Sequence, residues 1–183
     1  ERAAHLPHFG SKAAIELAIK QSGIDYTILQ PNNFYQNDYW FKDVILQHGV
    51  YPQPIGSTGL ERVDVRDIAD AGVKALESDA ARRHTIVLAG PDSNTGEATA
   101  ATWSQHLGKP IVYGGDDLEA WEKVNLQYLP AWMVFDFKMM YDYFQKSGLK
   151  ATAAEREAAE ALMGHPMRSF DAFARETAAA WKS

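Results

Sequence analysis

Two residues near the start of the chain carry its first chemistry. His8 and Lys12 stand four positions apart, so on a helix reaching back to residue 8 an imidazole and an ammonium share one face. An imidazole titrates near neutral pH and can donate or accept a proton during a reaction. An ammonium beside it opposes a second positive charge and favours the neutral ring. The bland alternative for His8 is an irregular lead-in, to which Pro7 and Gly10 point; for Lys12 it is a solvated place on the polar side of a short helix. Further on, Pro31-Asn32-Asn33-Phe34 follows an expected strand, and strand ends are where open α/β sheets hold ligands. Amide side chains and backbone N–H groups there can meet a carboxamide, and Phe34 can pack on a flat ring. Equally, Asn32 or Asn33 can cap the next helix while Phe34 joins the core. Asp116-Asp117 has the look of a carboxylate dyad, but its place before a helix makes it a cap. His5, His48, His84, His106 and His165 show no metal-ligand spacing, so no metal site is expected.

Bulk properties narrow the classes. The 183 residues suit one domain, or one domain with an appendage, and 46% hydrophobic with 23% charged residues is ordinary globular composition. A formal net charge of −6, with no basic run longer than Arg82-Arg83, argues against nucleic acid and anionic membrane surfaces. With no cysteine, disulfides, thiolate zinc sites and a cysteine nucleophile are excluded, and a reducing, cytoplasmic setting is the natural expectation. No apolar stretch approaches the ~20 residues of a membrane span. The opening Glu1-Arg2 lacks an initiator methionine, which suggests an excerpt of a longer protein.

Several elements must position these side chains. Ile15 and Ile19 at helical spacing predict a helix from Ser11 to Ser22, capped by Ser11 and stopped by Gly23. Tyr26 to Leu29 reads as a buried strand, and Phe34 to Gln47 as a helix with Phe34, Trp40, Phe41, Val44 and Ile45 as its apolar members. After a Pro/Gly-rich excursion, Asp64 caps a helix from Arg66 to Ser78. Thr85 to Ala89 is a second buried strand, and Thr95 and Gly108 bracket a helix from Gly96 to Leu107. Ile111 to Tyr113 is a third strand. The remainder is helical: Pro130 to Ser147 is apolar on most sides, which suits core, a pocket wall or an interface. Thr152 with Glu155 forms a capping box, and Ser169 to Trp181 is the last helix. Strand–helix alternation to about residue 113 says α/β, but three short strands make an incomplete doubly wound sheet.

Four stretches resemble the NmrA-like branch of the atypical short-chain dehydrogenases/reductases. His8-Phe9-Gly10-Ser11-Lys12 with Glu16 is similar to the helix carrying that family's active-site lysine, and Ser22 to Leu29 to the strand after it. Gln30-Pro31-Asn32-Asn33-Phe34 resembles the turn facing the nicotinamide end of the cofactor. Val63 to Ala69 resembles the helix start that braces the substrate region, and Leu88-Ala89-Gly90-Pro91 with Gly108-Lys109-Pro110 the closing strand and helix. The departures are definite: no Gly-rich turn in strand–turn–helix context, His8 where a tyrosine proton donor usually stands, and Gln30 where arginine is usual.

The resemblance implies a partial Rossmann-like, doubly wound parallel sheet over 1–113, with a mainly helical substrate or interface region over 114–183. It implies NADP or NAD as cofactor, Lys12 holding the nicotinamide ribose, His8 managing a proton, and Pro31, Asn32, Asn33 and Phe34 beside the nicotinamide. The expected function is an NAD(P)H-dependent oxidoreductase acting on a small carbonyl, quinone or similar apolar substrate, with the excerpt alone inactive. A non-catalytic NAD(P) redox sensor working through a protein partner is the second reading. A cofactor-free interaction module is the third, and a homodimer is compatible with all three.

Overall fold

The computed structural model describes Ala4 and residues 6–182. His5 and the opening pair Glu1-Arg2 lie outside the described residues. Helix α1 spans Pro7–Gln21, four residues earlier than the sequence suggests. Its first residue is Pro7, where a missing N–H costs nothing and the fixed φ suits the helix. His8 is therefore helical rather than part of an irregular lead-in, and Ser11 lies inside the helix instead of capping it.

Strand β1 (Ile28–Pro31) pairs in parallel with β4 (Thr85–Leu88), Ile28 opposite Thr85 and Pro31 opposite Leu88. The first strand thus lies two residues later than its side-chain types suggest. Tyr26 and Thr27 are held instead by the loop before β4, through Arg83 N–H to the Tyr26 carbonyl (2.6 Å) and the Thr27 hydroxyl to the Ala81 carbonyl (2.9 Å). Two further pairs are short: β2 (Val50–Tyr51) runs parallel to β6 (Val112–Tyr113), and β3 (Leu60–Glu61) antiparallel to β5 (Ser93–Asn94). Among the described residues this is a partial, Rossmann-like α/β fold whose C-terminal region is mainly helical.

The other helices are α2 (Val65–Glu77), α3 (Gly96–Leu107), α4 (Leu118–Asn125), α5 (Ala131–Ser147), α6 (Ala153–Met163) and α7 (Phe170–Lys182). Thr95 caps α3 and Gly108, at φ 71°, ends it; Thr152 and Glu155 close a capping box on α6. One core joins Ile86 and Leu88 of β4 to Ala71 of α2 and Ala159 and Met163 of α6. A larger one gathers Tyr35, Tyr51, Trp103, Phe144, Phe170 and Phe173. Trp103 stacks on Trp181 at 4.8 Å between ring centroids, with Phe170 and Phe173 edge-on to it. No helix among the described residues is long and apolar enough to cross a membrane.

The expected helix 34–47 is replaced by a 3₁₀ turn (Tyr35–Phe41) and a π turn (Val44–His48). Its apolar pattern does not set what is buried: Asp38 is fully enclosed while Trp40 is 75% exposed. A buried charge pair, described below, turns the segment inside out.

Asp64 caps α2 as expected and does more. Fully buried, it accepts hydrogen bonds from the Arg66 backbone N–H (2.9 Å), from Arg66 Nε and Nη2 (3.0 and 2.7 Å) and from Gln36 Nε2 (2.9 Å). Burial pushes its carboxyl up, but the bonds from Arg66 and Gln36 outweigh burial and hold it below the usual carboxylate value. A depressed folded-state value means stability that is fully present above the unfolded value of about 3.9 and lost as pH falls through the folded one. Asp64→Ala is expected to lower unfolding free energy at neutral pH by about 1–2 kcal/mol, the range for a lost N-cap. Urea unfolding would measure it, and the variant should lose less stability than wild type on acidification. An unchanged midpoint at neutral pH would refute the assignment.

Candidate active site

Helix α1 lies against α5, and a cleft of about 470 Å³ opens between their ends. Its walls are Pro7, His8, Ser11 and Lys12 from α1 and Trp132, Phe135 and Asp136 from α5. Trp132 and Phe135 are 68% and 56% exposed, so two aromatic faces stand open beside the polar groups. The aromatic stripe of α5 is thereby divided: Val134, Met140, Tyr141 and Phe144 are buried, whereas Trp132 and Phe135 line the cleft.

His8 and Lys12 meet as their spacing requires. Lys12 Nζ donates to the His8 carbonyl at 2.9 Å and lies 3.4 Å from His8 Nε2. The other ring nitrogen, Nδ1, is 2.9 Å from Asp136 Oδ2. Phe9 and Phe137 stand edge-on to the imidazole at 5.0 and 6.3 Å. The result is a chain of three groups, ammonium, imidazole and carboxylate, across the two helices. Asp136 has no partner in the sequence reading; its signal was a lone carboxylate inside the aromatic run Trp132 to Phe137.

One turn beyond Lys12, Glu16 accepts both bonds of Gln30 Nε2, each 2.8 Å, and Lys20 approaches it at 3.6 Å. Gln30 belongs to β1, so this contact fixes the polar face of α1 to the end of that strand. Where arginine is usual, the glutamine serves as a neutral donor to a carboxylate. Pro31 ends β1, and the Asn32 N–H continues the ladder to the Leu88 carbonyl at 2.9 Å. Asn32 Nδ2 donates to the carbonyls of Glu61 (2.9 Å) and Leu149 (3.4 Å), and Asn33 Oδ1 accepts from Arg62 Nε at 3.1 Å. Neither caps the following turn, whose N-cap is Phe34 with no side-chain bond. Phe34 itself is half-buried against the core around Val63. The structure therefore joins His8 to Lys12 in the cleft, whose lining does not include Pro31, Asn32, Asn33 or Phe34.

What holds that strand end is a buried ion pair. Arg62 and Asp38 are both fully enclosed, with Arg62 Nη2 2.6 Å from Asp38 Oδ1. Asp38 also accepts from Gln53 Nε2 (2.7 Å), Trp103 Nε1 (3.0 Å) and the Tyr51 hydroxyl (3.4 Å). Arg62 in turn donates to Asn33 and to the carbonyls of Phe34 (2.9 Å) and Tyr35 (3.3 Å), and stacks over the rings of Tyr35 and Phe170. Burial opposes its charge, but Asp38 overrides that and keeps the guanidinium protonated. Burial also raises the phenol of Tyr51, so it serves as a neutral donor.

Two other clusters are structural. Asp117 caps α4 through the Ala120 N–H at 2.9 Å, while Asp116 accepts from the Tyr113 hydroxyl, so the pair is no catalytic dyad. Asp67, Asp70 and His165 bring ligand atoms within 4.8 Å of one another. Arg168 already serves both carboxylates, by an ion pair and its backbone N–H (2.9 Å) to Asp67 and by Nη1 to Asp70 (2.8 Å). That cluster ties the segment before α7 to the first turns of α2.

Residues 1–174 match the NmrA-like family. The chain belongs to that family. Among curated relatives, an NAD(P)H azoreductase of Xenophilus azovorans is 27% identical over 164 residues, 89% of this chain and 56% of that protein. A (4-alkanoyl-5-oxo-2,5-dihydrofuran-3-yl)methyl phosphate reductase of Streptomyces griseus subsp. griseus is 26% identical over 91% of this chain and 58% of its own length. The chain thus spans little more than half the length of these relatives. The fold is shared with an NADPH-dependent quinone oxidoreductase of Escherichia coli, at a TM-score of 0.83 and 20% identity over 97% of this chain and 62% of the other. It is shared also with a Citrobacter triphenylmethane reductase complexed with NADP(H), at a TM-score of 0.79 and 19% identity over 96% and 62% of the two chains.

Proposed function

We propose that this chain forms the acceptor-binding side of an NAD(P)H-dependent oxidoreductase that reduces a small carbonyl, quinone or similar apolar compound. One observation carries the reading: His8 and Lys12 are in contact at the mouth of a cleft walled by the open faces of Trp132 and Phe135. The activities named for the azoreductase, the phosphate reductase and the quinone and triphenylmethane enzymes support it.

The donor set suits a nicotinamide nucleotide. An ammonium has three N–H bonds, and the contacts of Lys12 with His8 use at most two, leaving an exposed donor for ribose hydroxyls. Pro31, Asn32, Asn33 and Phe34 would stand at the strand end facing the nicotinamide, outside the lining of the cleft, with the Asn32 amide spent on the carbonyls of Glu61 and Leu149 and Asn33 on Arg62. A reduced nicotinamide, when bound, supplies a hydride. The residues of this chain do the rest: Trp132 and Phe135 hold a flat acceptor and exclude water, Lys12 adds positive charge, and His8 gives a proton to the acceptor's oxygen or nitrogen.

Nicotinamide fluorescence during titration with NADPH and NADH tests the reading. It is run on this chain and on a version extended upstream, where the Gly-rich turn is expected. The extended protein should bind, and Lys12→Ala should weaken binding about 10- to 100-fold, the worth of one charge-assisted hydrogen bond. Absence of binding in both proteins would overturn the proposal.

A further inference from the structure

The saturated carboxylates of this protein set a standard against which Asp136 stands apart. Asp38 and Asp64 are each served by several donors. Asp136 spends one oxygen on His8 Nδ1 at 2.9 Å, and its other oxygen, Oδ1, is buried with no hydrogen-bond partner among the described residues. A buried acceptor without a donor is costly, and a side chain serving only α1–α5 packing has little reason to be charged. Its one hydrogen-bonded oxygen is directed at the imidazole of His8.

The chemistry of the two neighbours then fixes the ring. A carboxylate can only accept a hydrogen bond and an ammonium can only donate one. Between Asp136 Oδ2 on one side and Lys12 Nζ on the other, the neutral imidazole must carry its proton on Nδ1 and offer its Nε2 lone pair to Lys12. Among the described residues, the charged groups facing His8 are Lys12 from its own helix and Asp136 from α5, with the rings of Phe9 and Phe137 beside it.

We propose that Asp136 is a positioning residue that holds His8 as the Nδ1–H tautomer, making Nε2 the atom through which His8 passes a proton. The use of that proton rests on the oxidoreductase reading; the tautomer does not. When Lys12 turns to a ligand, Nε2 is free to take a proton from solvent hydronium at the exposed edge of the ring, releasing water to bulk. As the acceptor receives a hydride from the reduced nicotinamide, the Nε2–H bond breaks and an O–H or N–H bond forms on the acceptor. His8 is left neutral with Nδ1–H still on Asp136.

The test is long-range nitrogen-15 NMR of the imidazole, with the His8 signals identified by their loss in His8→Gln. Wild type should show the Nδ1–H tautomer. Asp136→Asn, whose amide can donate as well as accept, should lose that preference. In the intact reductase the same substitution should lower kcat about tenfold or more while nicotinamide binding and the acceptor KM hold. A wild-type Nε2–H tautomer, or an Asp136→Asn spectrum with the Nδ1–H preference intact, overturns the proposal. Should Asp136→Asn not fold, the wild-type tautomer alone decides. If the tautomer responds as expected but no acceptor is reduced, the oxidoreductase reading falls and the positioning role of Asp136 stands.

Discussion

Replacing Asp38 by alanine is expected to remove about 3–5 kcal/mol of unfolding free energy, the cost of leaving a buried charge without its partner. Domains of this kind are stable by only about 5–15 kcal/mol, so such a loss leaves a protein close to its threshold. The enclosed Arg62 would keep its charge, while Gln53, Trp103 and Tyr51 would each point a donor at an empty acceptor site. The damage would reach the strand end, because Arg62 ties together Asn33, Phe34 and Tyr35. Urea unfolding followed by tryptophan fluorescence measures the loss. The double substitution Asp38→Leu with Arg62→Met should recover only the part due to the unpaired charge, since Gln53, Trp103 and Tyr51 and the carbonyls of Phe34 and Tyr35 stay without partners. A loss below about 1 kcal/mol in Asp38→Ala would place the pair in the ordinary range of an exposed salt bridge.

Most helix caps read correctly from local chemistry, although Ser11, expected as a cap, lies inside α1. Thr95 and Gly108 bound α3, Thr152 and Glu155 open α6, Asp64 opens α2 and Asp117 opens α4, because each cap is settled within four residues. Where a distant partner decides an element, local chemistry misreads it. Nothing near Asp38 announces Arg62, 24 positions on, yet that pair breaks the expected helix and exposes Trp40. The first strand slides by two residues because its register is set by Thr85–Leu88, and the aromatic and β-branched character of Tyr26 and Thr27 serves a loop instead.

The site divides the same way. The four-residue spacing put His8 beside Lys12, and starting the helix at Pro7 only strengthened that pairing. Asp136 lies 128 residues from His8, and only packing of α5 on α1 brings them together. For Pro31 to Phe34 the strand-end position was legible, but not what the asparagine amides bind, because their partners are Glu61 on β3, Arg62 next to it and Leu149 after α5.

His8→Ala is expected to lower kcat for acceptor reduction about 10²- to 10⁴-fold, the contribution of a positioned proton donor. Nicotinamide binding should change little, because Lys12 keeps its exposed ammonium. The competing explanation is that His8 only fastens α1 to α5, and stability separates the two. Removing the imidazole leaves the Asp136 carboxylate with no donor on either oxygen among the described residues, a loss of about 1–3 kcal/mol for a mostly buried acceptor. Pairing His8→Ala with Asp136→Leu removes that acceptor and should restore stability without restoring turnover. If the double variant recovers both, the imidazole is a fastener and the proton comes from water or Lys12. If stability returns and turnover does not, the proton passes through His8, and the tyrosine usual at that place has a working substitute.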